Sequence, residues 1–379
     1  MSKSSKKKIA MIGHKRIPSR EGGVERVVEK ISVRLVERGY DVTCYNRKGR
    51  HVSGEQYNRK RVDNYKGVRV RRVFTIDKKG LAAMTSSLVA SLRVAVGRHD
   101  VVHYHAEGPC AVMWIPKLFR KRCIATIHGL DWQRSKWGGF ASWYIKRGEK
   151  MAVKKADEII VLSKNMQDYF KETYGRDTVL IPNGVERHRE RKPDKIRREY
   201  GLEKEDYILY LSRIVPEKGL IYLIEAFKKL DTDKKLVIAG GISDTEDYAK
   251  AVKELAGDDD RIIFTGFVQG VTRKELYDNA YVYVLPSDVE GMPLSLLEAM
   301  SYRNCCLTSD IPECTEVVGD KALSFQKGNV KDLRAKLQTL CENPHIVKEY
   351  QEQAADYICD KYNWENVVDE TVKLYEGQV

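Results

Sequence analysis

Glu290 and Glu298 bracket a short turn, EGMPLSLLE, whose central groups differ in chemistry from its ends. A carboxylate repels phosphate but accepts well from a pair of neighbouring hydroxyls. Gly291 lets a ligand approach the backbone closely. The amides of Met292, Leu294 and Ser295, at the start of a helix, have no partner inside it and point at an anion. A ligand with both diols and phosphate, such as a nucleotide sugar, satisfies both sets. A plainer alternative has Glu290 capping the helix and Glu298 solvated on it. Arg213 and Lys218 in SRIVPEKGL place a planar fork and a point charge around a proline turn. Such a pair suits a diphosphate, or else forms two surface cations at a loop. His128, in the polar loop HGLDWQR, suits proton exchange with a sugar hydroxyl, or a structural role at a strand end.

These residues need elements to hold them. Residues 281–285 read as a buried strand and 286–292 as a loop, followed by a helix with Pro293 in its first turn. Before them, strands at 207–211, 235–239 and 261–265 alternate with helices at 220–230, 246–255 and 272–279. The final stretches, 345–359 and 364–375, also have helical spacing. The first half repeats the alternation. Its strands are predicted at 9–12, 41–45, 68–74, 101–105, 123–128, 158–162 and 178–181, and its helices at 24–38, 81–96, 109–119, 139–155 and 164–174. This is an α/β chain with two mostly parallel, doubly wound sheets. His103, His105, Glu107, His128, Gly129 and Asp131 fall at the carboxyl ends of strands, where such sheets bind ligands. Gly22 and Gly23 before a helix suit a phosphate or a second substrate close to backbone. No G-x-G-x-x-G turn supports an NAD site there. Trp132, Trp137, Trp143 and Tyr144 line an acceptor groove or pack the core.

The chain has 379 residues, enough for two domains. Turn residues and a charge run at 181–195 read as the linker, which predicts domains at 1–183 and 184–360. No run is long enough to cross a bilayer, and residues 1–8 are polar and basic, unlike a secretory signal. The eight cysteines have no C-x-x-C pairing and read as buried thiols of a reducing compartment, here the cytoplasm. Net charge is +13 and uneven. Residues 1–185 hold 39 Lys+Arg against 17 Asp+Glu, +22, and the rest 28 against 37, −9. Clusters at 59–61, 69–72, 78–79 and 117–122 fit an anionic partner, a membrane surface or nucleic acid. No nucleic-acid motif surrounds them.

EGMPLSLLEAM resembles the E-x7-E signature of the retaining glycosyltransferases of family four. That family has the GT-B fold, two Rossmann-like domains facing a cleft. SRIVPEKG is similar to its G/S-R-x-x-x-x-K-G element, which holds the leaving diphosphate. Gly240-Gly241 and Gly266-Phe267-Val268 fall where the family has glycine turns near the nucleotide. The glycine loop, His128, Arg213/Lys218 and Glu290…Glu298 match in order over nearly the whole chain. GHKRIPSREGGVE and HGLDWQR look like a bacterial subgroup that builds surface polysaccharides, rhamnosyltransferases among them.

The resemblance implies a retaining transfer of a hexose or deoxyhexose from a nucleotide-diphosphate sugar to a glycan or polyprenyl-diphosphate-linked acceptor. It assigns His128, Arg213, Lys218 and Glu290 to catalysis. Glu298 takes the ribose diol, Glu290 the sugar hydroxyls, and Val268 lies by the base. Gly22, Gly23 and the turn Gly291, Met292, Pro293, Leu294 and Ser295 complete the donor site. The acceptor falls to the first domain, at His105 and Asp131, and the helix in 361–379 crosses back onto that domain. No metal or other cofactor is expected, because the cations supply the charge at the diphosphate. Asp231-Thr232-Asp233 spells D-x-D but reads as a polar turn. No nucleic acid is expected, and the basic half suits the inner face of the cell membrane. The rival readings are a phosphorylase-type relative on the same fold and a catalytically silent protein that binds an anionic membrane or nucleic acid.

Overall fold

The computed structural model describes residues 6–19, 22–49, 62–78, 80–133, 138–242 and 245–378. The chain divides into two compact units, Met1–Asn183 with Trp364–Val379, and Gly184–Asn363.

The first unit holds a sheet of eight strands: β1 (Lys8–Ile12), β2 (Asp41–Arg47), β3 (Asn64–Tyr65), β4 (Val68–Val73), β5 (Val101–His105), β6 (Arg122–Ile127), β7 (Glu158–Val161) and β8 (Val179–Leu180). Their order is β3-β4-β2-β1-β5-β6-β7-β8, parallel except for the β3–β4 hairpin at one edge. The central strands are apolar on both faces because helices cover both, as parallel crossovers require. The order reverses between β1 and β5. There Gly13, at φ +113, passes so close to β5 that a Cβ would lie 2.2 Å from the His105 carbonyl oxygen.

The helix expected at 109–119 is two short ones, Glu107–Cys110 and Trp114–Leu118. Pro116 has no amide to donate back one turn, and the stretch between closes by i−3 bonds such as Met113 N to Cys110 O, 2.9 Å. The helix Trp364–Glu376 packs on the helix Gly23–Glu37. Arg34 and Arg38 pair with Glu365 at 2.9 and 2.8 Å, Arg122 Nε donates to Leu374 O at 2.7 Å, and Tyr375 lies fully buried.

The second unit holds six parallel strands: β9 (Tyr207–Leu211), β10 (Lys235–Ala239), β11 (Ile262–Gly266), β12 (Val282–Leu285), β13 (Cys305–Ser309) and β14 (Leu323–Phe325), ordered β11-β10-β9-β12-β13-β14. Its core packs Phe227, Leu223 and Leu337 against the sheet. The stretch read as a linker belongs to this unit from Gly184 on. Val185 N donates to Tyr362 O at 2.8 Å. The Glu275 carboxylate accepts from the amides of Asp194, Lys195 and Ile196 at 3.1, 2.8 and 3.1 Å, capping the helix Lys195–Tyr200.

All eight cysteines are free thiols, seven buried and Cys341 partly so. The 117–122 basic cluster is largely engaged within its own unit. Lys117 pairs with Asp157 at 2.9 Å, Lys121 Nζ donates to Gly97 O at 2.9 Å, and Arg122 reaches Leu374 O and Glu158. A role for it as an anion-binding patch therefore narrows to exposed Arg120. The cluster at 59–61 and Lys79 lie outside the described residues.

Candidate functional site

In the second unit the strand order reverses between β9 and β12. In open α/β sheets such a switch point, beyond the carboxyl ends of the strands, is where ligands bind. The loop after β9 carries Arg213 and Lys218, and the loop after β12 carries Glu290. Gly219 sets their approach. It sits at φ +62, and a Cβ there would lie 1.9 Å from the Pro286 carbonyl oxygen, so only glycine allows the loops to touch. Gly240, after β10, is pressed likewise against Ser212 O, 1.9 Å from where its Cβ would be.

Lys218 Nζ forms an ion pair with Glu290 Oε1, and both side chains are about nine-tenths buried, at 11% and 8% exposure. Ser287 Oγ donates to the same Glu290 oxygen at 2.7 Å, and Ser309 Oγ fixes Ser287 through its carbonyl at 2.6 Å. Asp288 N donates to Glu217 O at 3.0 Å, and Tyr222 OH donates to Asp288 at 3.1 Å. The two loops are thus stitched by backbone and side chain. The Glu217 carboxylate is buried beside Lys218, and neither of its oxygens has a hydrogen-bond partner among the described residues. Arg213 is half-buried, and its carbonyl accepts from Tyr210 OH at 2.9 Å.

The helix after β12 is Leu294–Ser301. Pro293 is its N-cap, extended at φ −76, ψ 98, where the sequence suggested the first turn. Leu296 N and Leu297 N bond back to Pro293 O at 3.0 and 3.2 Å. The amides of Leu294 and Ser295 precede the first helical bond and have no acceptor one turn back. Gly291, Met292 and Pro293 are buried in the turn. Glu298 is buried too, which overturns the plainer alternative of a solvated helical glutamate. It pairs with Arg273 at 2.8 Å, on the helix Gly270–Asp278. Burial pushes the guanidinium pKa down, but Glu298 outweighs it and the net shift is upward. Val268 is half-buried, two residues beyond Gly266, which turns at φ +69.

In the first unit, the carboxyl ends of β5 and β6 gather three histidines. His105 Nδ1 lies 3.1 Å from His128 Nε2, and the His103 and His105 rings are 4.2 Å apart. His103 is held between Tyr375 OH and Thr126 Oγ1, both at 2.7 Å. Burial drives the His103 pKa to about 3. The same cause, with His103 and His128 alongside, drives His105 well below its ordinary value. Asp131 N donates to buried Glu107 at 2.8 Å, which anchors the loop after His128. Burial, with Glu149 and Asp131 alongside, raises the Glu107 carboxyl well above the usual range. Glu149 accepts from Trp132 Nε1 at 3.2 Å and from the hydroxyls of Tyr169, at 3.0 Å, and Tyr174. Trp132 thus packs inward. Trp143 is 55% exposed, and Trp137 lies outside the described residues. Gly22 caps the helix Gly23–Glu37, and Glu25 inside that helix accepts from Lys15 N at 2.9 Å.

The structure therefore brings Lys218 and Glu290 together, with Gly291–Ser295 on the same turn. His105 meets His128, and the Asp131 amide is held by Glu107. Glu298 is engaged by Arg273. The sequence reading missed Arg273, Glu217, Ser287, Glu25 and Glu149. For Glu217 a signal existed, since it precedes Lys218 within the SRIVPEKG element. For Arg273 the sequence held none.

Residues 21–189 match the family model described as Glycosyltransferase Family 4, and residues 192–367 match that of Glycosyl transferases group 1. An uncharacterized glycosyltransferase of Methanocaldococcus jannaschii is 25% identical over 393 residues, covering 97% of this chain and 98% of that one. The O-antigen chain mannosyltransferase of Salmonella typhimurium is 28% identical over 217 residues, 56% of this chain and 58% of that one. Among solved structures, sucrose-phosphate synthase from Thermosynechococcus elongatus superposes with a TM-score of 0.80 at 19% identity, covering 98% and 99% of the two chains. The Anabaena protein HepE, solved with UDP and glucose, gives 0.79 at 17% identity, with 98% and 100% covered. At these identities the structural likeness is one of fold.

Proposed function

The chain belongs to the glycosyltransferases of family four, with the GT-B fold, and from that premise we propose that it transfers a hexose or deoxyhexose, with retention, from a nucleotide-diphosphate sugar. The acceptor in this reading is a glycan or a polyprenyl-diphosphate-linked saccharide. The observation that carries it is the buried Lys218–Glu290 pair at the β9/β12 switch point, beside the start of the helix Leu294–Ser301. A cation and the first amides of that helix thus lie beside the loop that carries Glu290, with Glu298 further along the helix. The leaving diphosphate takes Arg213, Lys218 and the amides near Ser295, which stabilise the charge that grows as the glycosidic bond breaks. Glu290 takes sugar hydroxyls, and Glu298 takes the ribose diol once Arg273 shares it. The leaving phosphate itself accepts the acceptor's proton on the face from which it departs. His128 acts at the sugar, and His105 and Asp131 at the acceptor. The relative named for O-antigen mannosyl transfer, and HepE with its bound UDP and glucose, support this class of donor and product.

The test is a panel of UDP-, dTDP- and GDP-sugars, scored by thermal stabilisation and slow donor hydrolysis. One donor should stabilise the protein, and Glu298→Ala should weaken its binding by about tenfold or more, the loss of a charge-assisted bond to a diol. No stabilisation by any donor would refute the reading. Hydrolysis and transfer should also persist in excess EDTA, since the cations occupy the role of a metal at the diphosphate. Restoration of a lost activity by added magnesium would contradict that.

A further inference from the structure

The helix Leu81–Val96 in the first unit is turned inside out. Its core-facing side is made of small residues, Ser86, Ser87, Ala90, Ser91 and Ala95, with Val94. Its outward side carries Leu88 at 41% exposure, Leu92 at 51% and Val96 at 77%. These three lie within one stripe at helical spacing. The short helix Trp114–Leu118 packs against it and adds Trp114 at 43%, Leu118 at 71% and Phe119 just beyond at 52%. An isolated exposed leucine needs no explanation, but six large apolar side chains exposed on and beside two adjoining helices do.

The charged residues that the two helical segments themselves contribute are of one sign. Neither 81–98 nor 108–122 contains an aspartate or glutamate. Arg93, Arg98 and Arg120 are exposed along them. We propose that this face seats the first unit on an anionic lipid surface, with the leucines, Phe119 and the Trp114 ring at the headgroup–acyl boundary and the arginines among the headgroups. Apolar residues flanked by cations, with a tryptophan between, match an interfacial lipid surface. A second copy of the chain fits less well. A two-fold contact would set the same arginines against each other with no carboxylate in these segments to offset them. The inference stands on the first unit and is independent of the donor chemistry of the second.

The experiment is flotation of the full chain with phosphatidylcholine vesicles, with and without phosphatidylglycerol. Wild type should float with the anionic vesicles, and high salt should weaken this. Leu88→Gln with Leu92→Gln should lower binding by about tenfold for each leucine withdrawn, without lowering the melting temperature. Arg98→Gln with Arg120→Gln should lower it by about fivefold for each charge at low salt only. The proposal falls if wild type stays with the soluble fraction, or if the leucine variant binds as well as wild type. It also falls if sedimentation shows a dimer that the leucine variant abolishes while vesicles bind nothing.

Discussion

Lys218→Ala should slow sugar transfer by about two to three orders of magnitude, the usual cost of removing one preorganised group from a site of developing charge. Lys218 is about nine-tenths buried and its backbone is fixed by the turn at Gly219, whose contact with Pro286 O leaves no room for a side chain. Glu290 holds the ammonium in position, so little reorganisation remains when a diphosphate arrives. Removing one partner of a buried pair also costs about 3–5 kcal/mol of stability, because the other charge is stranded. Ser287 softens that cost by its own bond to Glu290. The two effects separate in measurement. The melting temperature reports the stranded carboxylate, and kcat at saturating donor reports the lost cation. Lys218→Arg should restore much of the stability and only part of kcat, since a planar fork replaces a point charge. A Lys218→Ala enzyme that melts early but turns over at the wild-type rate would make Lys218 structural and remove it from the mechanism.

The parallel alternation was legible because a strand covered on both faces leaves a continuous apolar run, as in β1 and β9, and amphipathic helices separate such runs. The strands β13, with two cysteines and two hydroxyl residues, and β14, only three residues long, carry no such signal and were not read. At the site, the glycine and proline turns were legible because backbone geometry restricts which residues can occupy them. The pairings were not. Lys218 and Glu290 lie 72 residues apart, and Arg273 and Glu298 lie 25 apart. A charge on its own reads as solvated until the fold delivers its partner. Glu107 and Glu149, buried on separate helices, illustrate the same limit. Gly148 lies beside Glu149, and a Cβ on it would lie 2.0 Å from the Glu107 carbonyl oxygen, a requirement that only coordinates reveal.

Mild acid should unfold the first unit before the second. His14 and His103 are buried, and burial lowers their pKa values from 6.5 to about 4 and about 3. His105 is lowered in the same direction. The unfolded chain takes up protons near pH 6.5 and the folded unit does not, so this stability is complete above 6.5 and is lost as the pH falls towards the folded values. Each histidine contributes a slope of about 1.4 kcal/mol per pH unit. Glu107 acts in the opposite sense. Its folded pKa is raised, so its contribution improves as the pH falls towards 4.5 and offsets about one histidine. The remainder, about two protons over two pH units, removes roughly 5 kcal/mol, comparable to the whole stability of an ordinary domain. In the second unit, His188 is lowered to about 4 and Asp278 is raised to about 7, both chiefly by burial, and their slopes largely cancel. All five tryptophans, Trp114, Trp132, Trp137, Trp143 and Trp364, belong to the first unit, so their fluorescence follows it alone while far-ultraviolet circular dichroism follows both. In urea titrations the fluorescence midpoint should fall steeply between neutral pH and about pH 5, and the dichroism should split into two steps. His103→Gln, which can still bond Tyr375 and Thr126, should make the fluorescence decline shallower by one proton's slope. A fluorescence midpoint that does not move over that range would show that these histidines are already protonated, or not buried, in the folded protein.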